Sequence, residues 1–94
     1  MMPRGVLDRE AFPVSTRFYP AQGVELRGRG AWRDALCPFH DDHKPSLRVL
    51  VENGAFRCMS CGARGGDVLA FLRLRDGLGF VEAAKRLGAW RAGS

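Results

Sequence analysis

Two pairs of metal-ligand residue types with equal internal spacing, an Asn-Gly dipeptide between two β-forming runs, and two glycine-closed stretches of helical periodicity together predict a small α+β fold. The pairs are Cys37-Pro-Phe-His40 and Cys58-Met-Ser-Cys61, and they would draw together an antiparallel sheet flanked by short helices. With 94 residues the chain has room for one domain. A domain of that size buries only about 60–65% of the surface its unfolded chain exposes, so burial alone leaves it marginal and a staple is expected.

Taken in order, Pro3, Pro13 and Pro20, with Gly5 and Ser15, predict an irregular segment over residues 1–20, relieved at most by one short helix near 7–12. The domain proper is expected over residues 21–91. Residues 24–27 and 31–36 flank Gly28, Arg29 and Gly30, the pattern of two short strands joined by a glycine turn, and the second strand leads into Cys37. Residues 46–51 and 55–58 flank Asn53-Gly54, the strongest short-range hairpin signal. A two-residue turn there would set Val51 opposite Phe56, Leu50 opposite Arg57 and Val49 opposite Cys58. Alternation then sends Leu47, Val49, Val51, Phe56 and Cys58 to the core, and Ser46, Arg48, Leu50 and Arg57 to the other face, with Arg48 and Arg57 diagonal neighbours. Asp67 is a good N-cap for a helix running to about Arg75 and ended by Gly77. A second short helix carries Phe80, Ala84 and Leu87 at helical spacing, a Glu82–Arg86 i,i+4 pair, and Gly88 at its end. Phe71, Leu72, Leu74, Phe80, Val81 and Leu87 read as core.

The two ligand pairs are separated by 17 residues, the spacing of a zinc ribbon. Structural zinc takes four tetrahedral nitrogen or sulfur donors, and a two-residue gap folds each pair to one side of a tight turn. Cys37, His40, Cys58 and Cys61 fill such a shell and leave no open position for water or substrate, which means structural rather than catalytic zinc. Gly62 suits the turn after Cys61, and Pro38 pre-sets the first one. The competing reading of Cys58-x2-Cys61 as a redox dithiol expects the pair at the start of a helix in a larger α/β unit, whereas here it ends a hairpin. His43 is the competing nitrogen donor and reads instead as a solvated surface residue. Asp41 and Asp42 beside His43 are the only candidates for acid-base chemistry, and neighbouring residues in an extended chain point apart.

Three reduced thiols suit the cytoplasm, where the protein is expected; no apolar run approaches the length of a membrane span, and the first nine residues lack the apolar stretch of a signal peptide. A net charge of +5 and pI near 9.9 favour a polyanionic partner, although 13 of the 15 basic residues are arginine, a bias that GC-rich coding alone can produce.

The residues also match a known family. Cys37-Pro-Phe-His40, Lys44-Pro-Ser-Leu, Phe56-Arg-Cys58-Met-Ser-Cys61-Gly-Ala-Arg-Gly-Gly-Asp67 and Gly79-Phe-Val-Glu82 closely resemble the CHC2 zinc finger, the zinc-binding domain of bacterial-type DNA primases. The likeness runs from about Phe18 to Trp90. It implies a ribbon of antiparallel strands with helices beside it, one structural zinc, and help in recognising single-stranded template DNA while a separate polymerase domain makes the RNA primer. By that resemblance the chain is non-catalytic by itself, acts in DNA replication, and has single-stranded DNA and a primase polymerase domain or helicase as partners. It is expected as a stand-alone module of a phage or other mobile element, or as a piece of a longer primase. Ala55 and Met59 stand where family members often carry aromatic residues, and the prolines near the start fit poorly to the long helix that commonly precedes the ribbon.

Single-strand binding needs a cationic track for phosphates and a flat surface for bases. Arg48 and Arg57 on the outer hairpin face, Lys44 and Arg64 near the ends of the metal loop, and Trp32 with Arg33 as a stacking and phosphate pair are the candidates. Trp32 reads equally as core. Arg73, Arg75, Lys85 and Arg86 read as solvated helix residues. The alternative function is a protein-interaction ribbon without DNA binding.

Overall fold

A computed structural model describes residues 5–41 and 44–92. Strand β1 (Gly5–Leu7) is followed by a single 3-10 turn (Arg9–Ala11) and helix α1 (Ser15–Ala21). Strands β2 (Trp32–Ala35), β3 (Leu47–Leu50), β4 (Phe56–Cys58) and β5 (Arg64–Gly65) come next, then helices α2 (Val68–Asp76) and α3 (Phe80–Arg86) and strand β6 (Trp90–Ala92). The antiparallel strands β2-β3-β4-β5 form one sheet in that order, and β1 pairs with β6 in a second.

The four-stranded sheet follows from its alternation. Ala35, Leu47, Val49, Phe56 and Cys58 are buried on one face, where all three helices contribute to a single core with Phe18, Tyr19, Val68, Leu69, Phe71, Leu72, Ala83 and Ala84. Gly65 lets α2 approach β5: a Cβ there would meet the Ala70 Cβ and the Phe56 ring at 2.6 Å. The α2 caps are those read from sequence, since the Asp67 carboxylate accepts from the Ala70 N–H at 2.9 Å and Gly77 closes the helix at φ +66°.

The hairpin register differs from expectation by two residues. Val49 opposes Phe56, Arg48 opposes Arg57 and Leu47 opposes Cys58. The loop is longer than Asn53-Gly54 alone: Leu50 N–H donates to the Ala55 carbonyl at 2.8 Å, and Gly54 N–H donates back to the Leu50 carbonyl at 2.8 Å. Tertiary contacts select this loop. The Val51 N–H is already given to the Ala31 carbonyl, and Gly54, buried at φ +79°, is pressed toward Val68 and Ser15. Because side chains alternate with a period of two, the slip keeps the face assignments within β3 and β4, although Val51 leaves the strand and Ser46, ahead of β3, turns its hydroxyl to Cys58 Sγ on the metal side at 3.4 Å. It does bring Arg48 and Arg57 directly opposite each other rather than diagonal.

Residues 24–27 do not form the expected strand. Only Arg27 reaches β2, through a bridge to Asp34 with bonds of 2.8 and 3.0 Å. Residues 5–20 are also more ordered than Pro13 and Pro20 suggest, because α1 keeps Pro20 in its last turn and is held by burial of Phe18 and Tyr19 rather than by propensity; Pro3 lies outside the described residues. Leu74 and Phe80, read as core, are 50% and 40% exposed. Periodicity marks the stripe but not how far its partner extends, and Leu74 lies in the last turn of α2 beyond the buried run 68–72.

Tyr19 is fully buried and its hydroxyl donates to the Gly54 carbonyl at 2.6 Å, joining α1 to the hairpin loop. Burial, reinforced by the charge of Asp67, holds its phenol far above the usual range, so it remains a donor. Tyr19→Phe leaves that buried carbonyl without its partner and is expected to cost about 1–3 kcal/mol in urea denaturation of the zinc-loaded protein, at unchanged metal content.

Candidate metal centre and nucleic-acid interface

The first ligand turn leaves the end of β2 and the second joins β4 to β5, so neighbouring parts of one sheet bring the two pairs together. In the second turn Cys58 N–H donates to the Ala63 carbonyl at 2.7 Å and Gly62 N–H to the Cys58 carbonyl at 3.1 Å, with Gly62 at φ +78°. The ring of Phe39 anchors the first turn, 6.0 Å from Phe56 and 5.4 Å from Phe71. One donor atom from each of Cys37, His40, Cys58 and Cys61 lies within 4.8 Å of the other three. Tetrahedral zinc with bonds of about 2.3 Å to sulfur and about 2.0–2.1 Å to nitrogen requires edges of roughly 3.8 Å between sulfurs and roughly 3.6 Å between sulfur and nitrogen. The Cys37–Cys61 sulfur separation is 3.8 Å and His40 Nε2 lies 3.4 Å from Cys58 Sγ. The four side chains are thus positioned to bind one zinc ion. Nε2 faces the cage, which leaves Nδ1 toward the Asp41 carbonyl at 3.4 Å, the outer contact that orients a ligating imidazole.

The thiols are unequal. Burial pushes Cys37 up to about 12, opposed by the Phe39 N–H and reinforced by Cys58 and Cys61. Burial would raise Cys58 as well, but hydrogen bonds from the Ser46 hydroxyl, the Cys61 N–H, His40 and the Ser60 N–H bring it down to about 6. The Cys58 thiolate is therefore prepared by the fold, and ionising Cys37 beside it calls for the charge of a divalent cation. Cys61 is exposed while Cys37 and Cys58 are buried, so one edge of the cage faces solvent. Asp42 and His43 lie outside the described residues.

Among the described residues all three helices pack on the buried face of the sheet, and the opposite face carries none. Residues paired across an antiparallel sheet point to the same side, and the register sets Asp34, Arg48, Arg57 and Arg64 in one row across β2, β3, β4 and β5. Asp34 takes up Arg48 at 3.5 Å. Beside the row, Trp32 is 46% exposed, which resolves its two readings in favour of surface, and the Arg48 guanidinium lies 5.9 Å from its ring centroid. Trp32, Arg48, Arg57 and Met59 line an open groove of about 250 Å³. Arg33 does not join Trp32: it pairs with Val49 on the core side of β2, and its Nε turns back to the Gly30 carbonyl at 3.4 Å. Lys44 is exposed ahead of β3, outside the row. Of the helix cations read as solvated, Arg75 and Arg86 instead both reach Asp76, at 2.9 and 3.6 Å, and Arg75 covers the Phe71 ring. Hydrogen bonding to Arg75 is the main cause holding the Asp76 carboxyl below its usual value.

Sequence reasoning missed Asp34, and took Met59 only as standing where relatives often carry an aromatic residue. The spacing of Trp32 and Asp34, two apart in one strand, was enough to put them on one face, but their place beside the arginines depended on the register.

The CHC2 zinc finger family model matches residues 20–92. A DNA primase of Geobacillus stearothermophilus is 47% identical over 66 residues, covering 70% of this chain and 11% of that protein. A DNA primase of Thermotoga maritima is 39% identical over 93 residues, covering 99% of this chain and 16% of that one. Among solved structures, the Aquifex aeolicus primase, comprising zinc-binding and RNA polymerase domains, superposes with a TM-score of 0.67 at 27% identity over 88% of this chain and 21% of its own. The chain thus spans a small part of the length of the primases it matches.

Proposed function

The chain belongs to the CHC2 zinc finger family, and from that premise we propose that its zinc-loaded form binds single-stranded DNA on the helix-free face of the four-stranded sheet, serving primer synthesis in replication alongside a separate polymerase domain. The observation that carries the reading is the row of Arg48, Arg57 and Arg64. Like charges directly opposite one another in a sheet are destabilising, and within this row only Asp34 offsets them. A strand of phosphates turns that repulsion into attraction. The cage cannot do this, since three thiolates and one zinc ion leave a net negative charge; the arginines must. The zinc ion has a structural part, fixing the turns at the ends of β2 and β4.

Fluorescence anisotropy with short labelled single strands over a series of salt concentrations tests the reading. Three phosphates neutralised by three arginines correspond to a slope of about −2 in log affinity against log salt, and Arg57→Ala is expected to flatten it by about 0.7. Asp34→Asn removes the carboxylate from the row and is expected to tighten binding, while changing stability by less than about 0.5 kcal/mol because the ion pair is half exposed. Absence of binding by zinc-loaded protein even at low salt would refute the proposal and leave the face as a protein-contact surface.

A further inference from the structure

The groove beside the arginine row has a shape and chemistry that phosphate binding does not use. Its walls are Trp32 and Met59, 46% and 64% exposed, two large apolar side chains beside the arginines. Arg48 is fixed on two sides, by Asp34 at 3.5 Å and by the Trp32 ring at 5.9 Å from its centroid. That double contact holds the indole in place, with Arg57 continuing the floor toward Arg64 on β5. At about 250 Å³ the groove is smaller than the roughly 300–1,000 Å³ that takes a drug-sized ligand, so it suits a small flat group.

Resting on the single-strand reading above, we propose that this groove seats one unpaired nucleobase, stacked on Trp32 and closed over by Met59, while the phosphates beside it lie on Arg57 and Arg64. The occupant follows from charge complementarity: a flat apolar group joined to anions is what a groove between an indole and a row of guanidinium groups matches. Base stacking on an aromatic ring is tolerant of base identity because every base offers a π-face. The thioether of Met59 is flexible enough to close over purine or pyrimidine alike. A duplex keeps its bases stacked on one another, so the seat selects single strands. Arg48 is a positioning residue, acting through the indole.

An abasic scan decides the matter. Short single strands carrying one abasic linker at successive positions are titrated into wild-type, Trp32→Ala and Trp32→Phe protein, each zinc-loaded, with the indole N–H signals followed by NMR. Trp32→Ala is expected to weaken binding of the intact strand roughly 5- to 150-fold, and Trp32→Phe to restore most of it. One abasic position should weaken the wild-type protein by a similar factor and leave Trp32→Ala unaffected, and the Trp32 indole signal should shift with the intact strand. If affinity stays salt-dependent while no abasic position matters and Trp32→Ala binds as wild type, the seat is refuted and the phosphate track stands. If the intact strand fails to bind at low salt, the track and the seat fall together.

Discussion

Chelation of zinc is expected to unfold the domain, with loss of amide dispersion in NMR spectra and of far-ultraviolet circular dichroism, both restored when zinc is returned. Apparent zinc binding at a site of this type contributes about 10–16 kcal/mol, whereas a whole domain is stable by about 5–15 kcal/mol. The ligands sit at structural joints: Cys58 ends β4 opposite Leu47, and the turn after it is the only connection from β4 to β5. Cys58→Ser should have much the same effect as the chelator, because it replaces the thiol that the surrounding hydrogen bonds prepare as a thiolate. Protons compete with zinc for the same thiolates and imidazole, so the affinity of the site for zinc falls as pH falls. A native-like spectrum from protein shown by mass spectrometry to be metal-free would contradict the assignment of zinc as the staple.

The second large effect belongs to Phe71. Its fully buried ring meets Tyr19, Phe39, Phe56 and Phe18 at centroid distances of 5.0, 5.4, 5.5 and 5.8 Å. Phe71→Ala removes the contact common to α1, the first ligand turn, β4 and α2, and is expected to cost about 3–5 kcal/mol in denaturation of the zinc-loaded protein. Because Phe39 lies between the ligands Cys37 and His40, the same substitution should lower zinc affinity in competition with a chromophoric chelator. A folding loss with unchanged zinc affinity would show that the first ligand turn stands without the aromatic cluster.

What could be read from the chain without coordinates was whatever depends on local spacing. The four ligands, the Asp67 and Gly77 caps and the buried face of the hairpin are each set by residues a few positions apart, and each is where the pattern puts it. The misreadings all concern elements whose conformation is decided at a distance. Asn53-Gly54 signals a tight turn, but Tyr19 and Val68, both remote in sequence, hold the longer loop. Pro20 signals a break, yet burial of Phe18 and Tyr19 outweighs it. Strands β1 and β6 pair across nearly the whole chain, where no local pattern could announce them. The arginine row was half legible: alternation gave the face of Arg48 and Arg57, while the place of Arg64 and Asp34 in the same row, and the separation of Arg33 from Trp32, needed the register.

That pairing of β1 with β6 sets Gly5 beside Ala92, at the separation of about 4.5–5.5 Å usual for antiparallel partners. The described residues therefore start and finish side by side, and loss of either strand would leave the other with no partner in its two-stranded sheet.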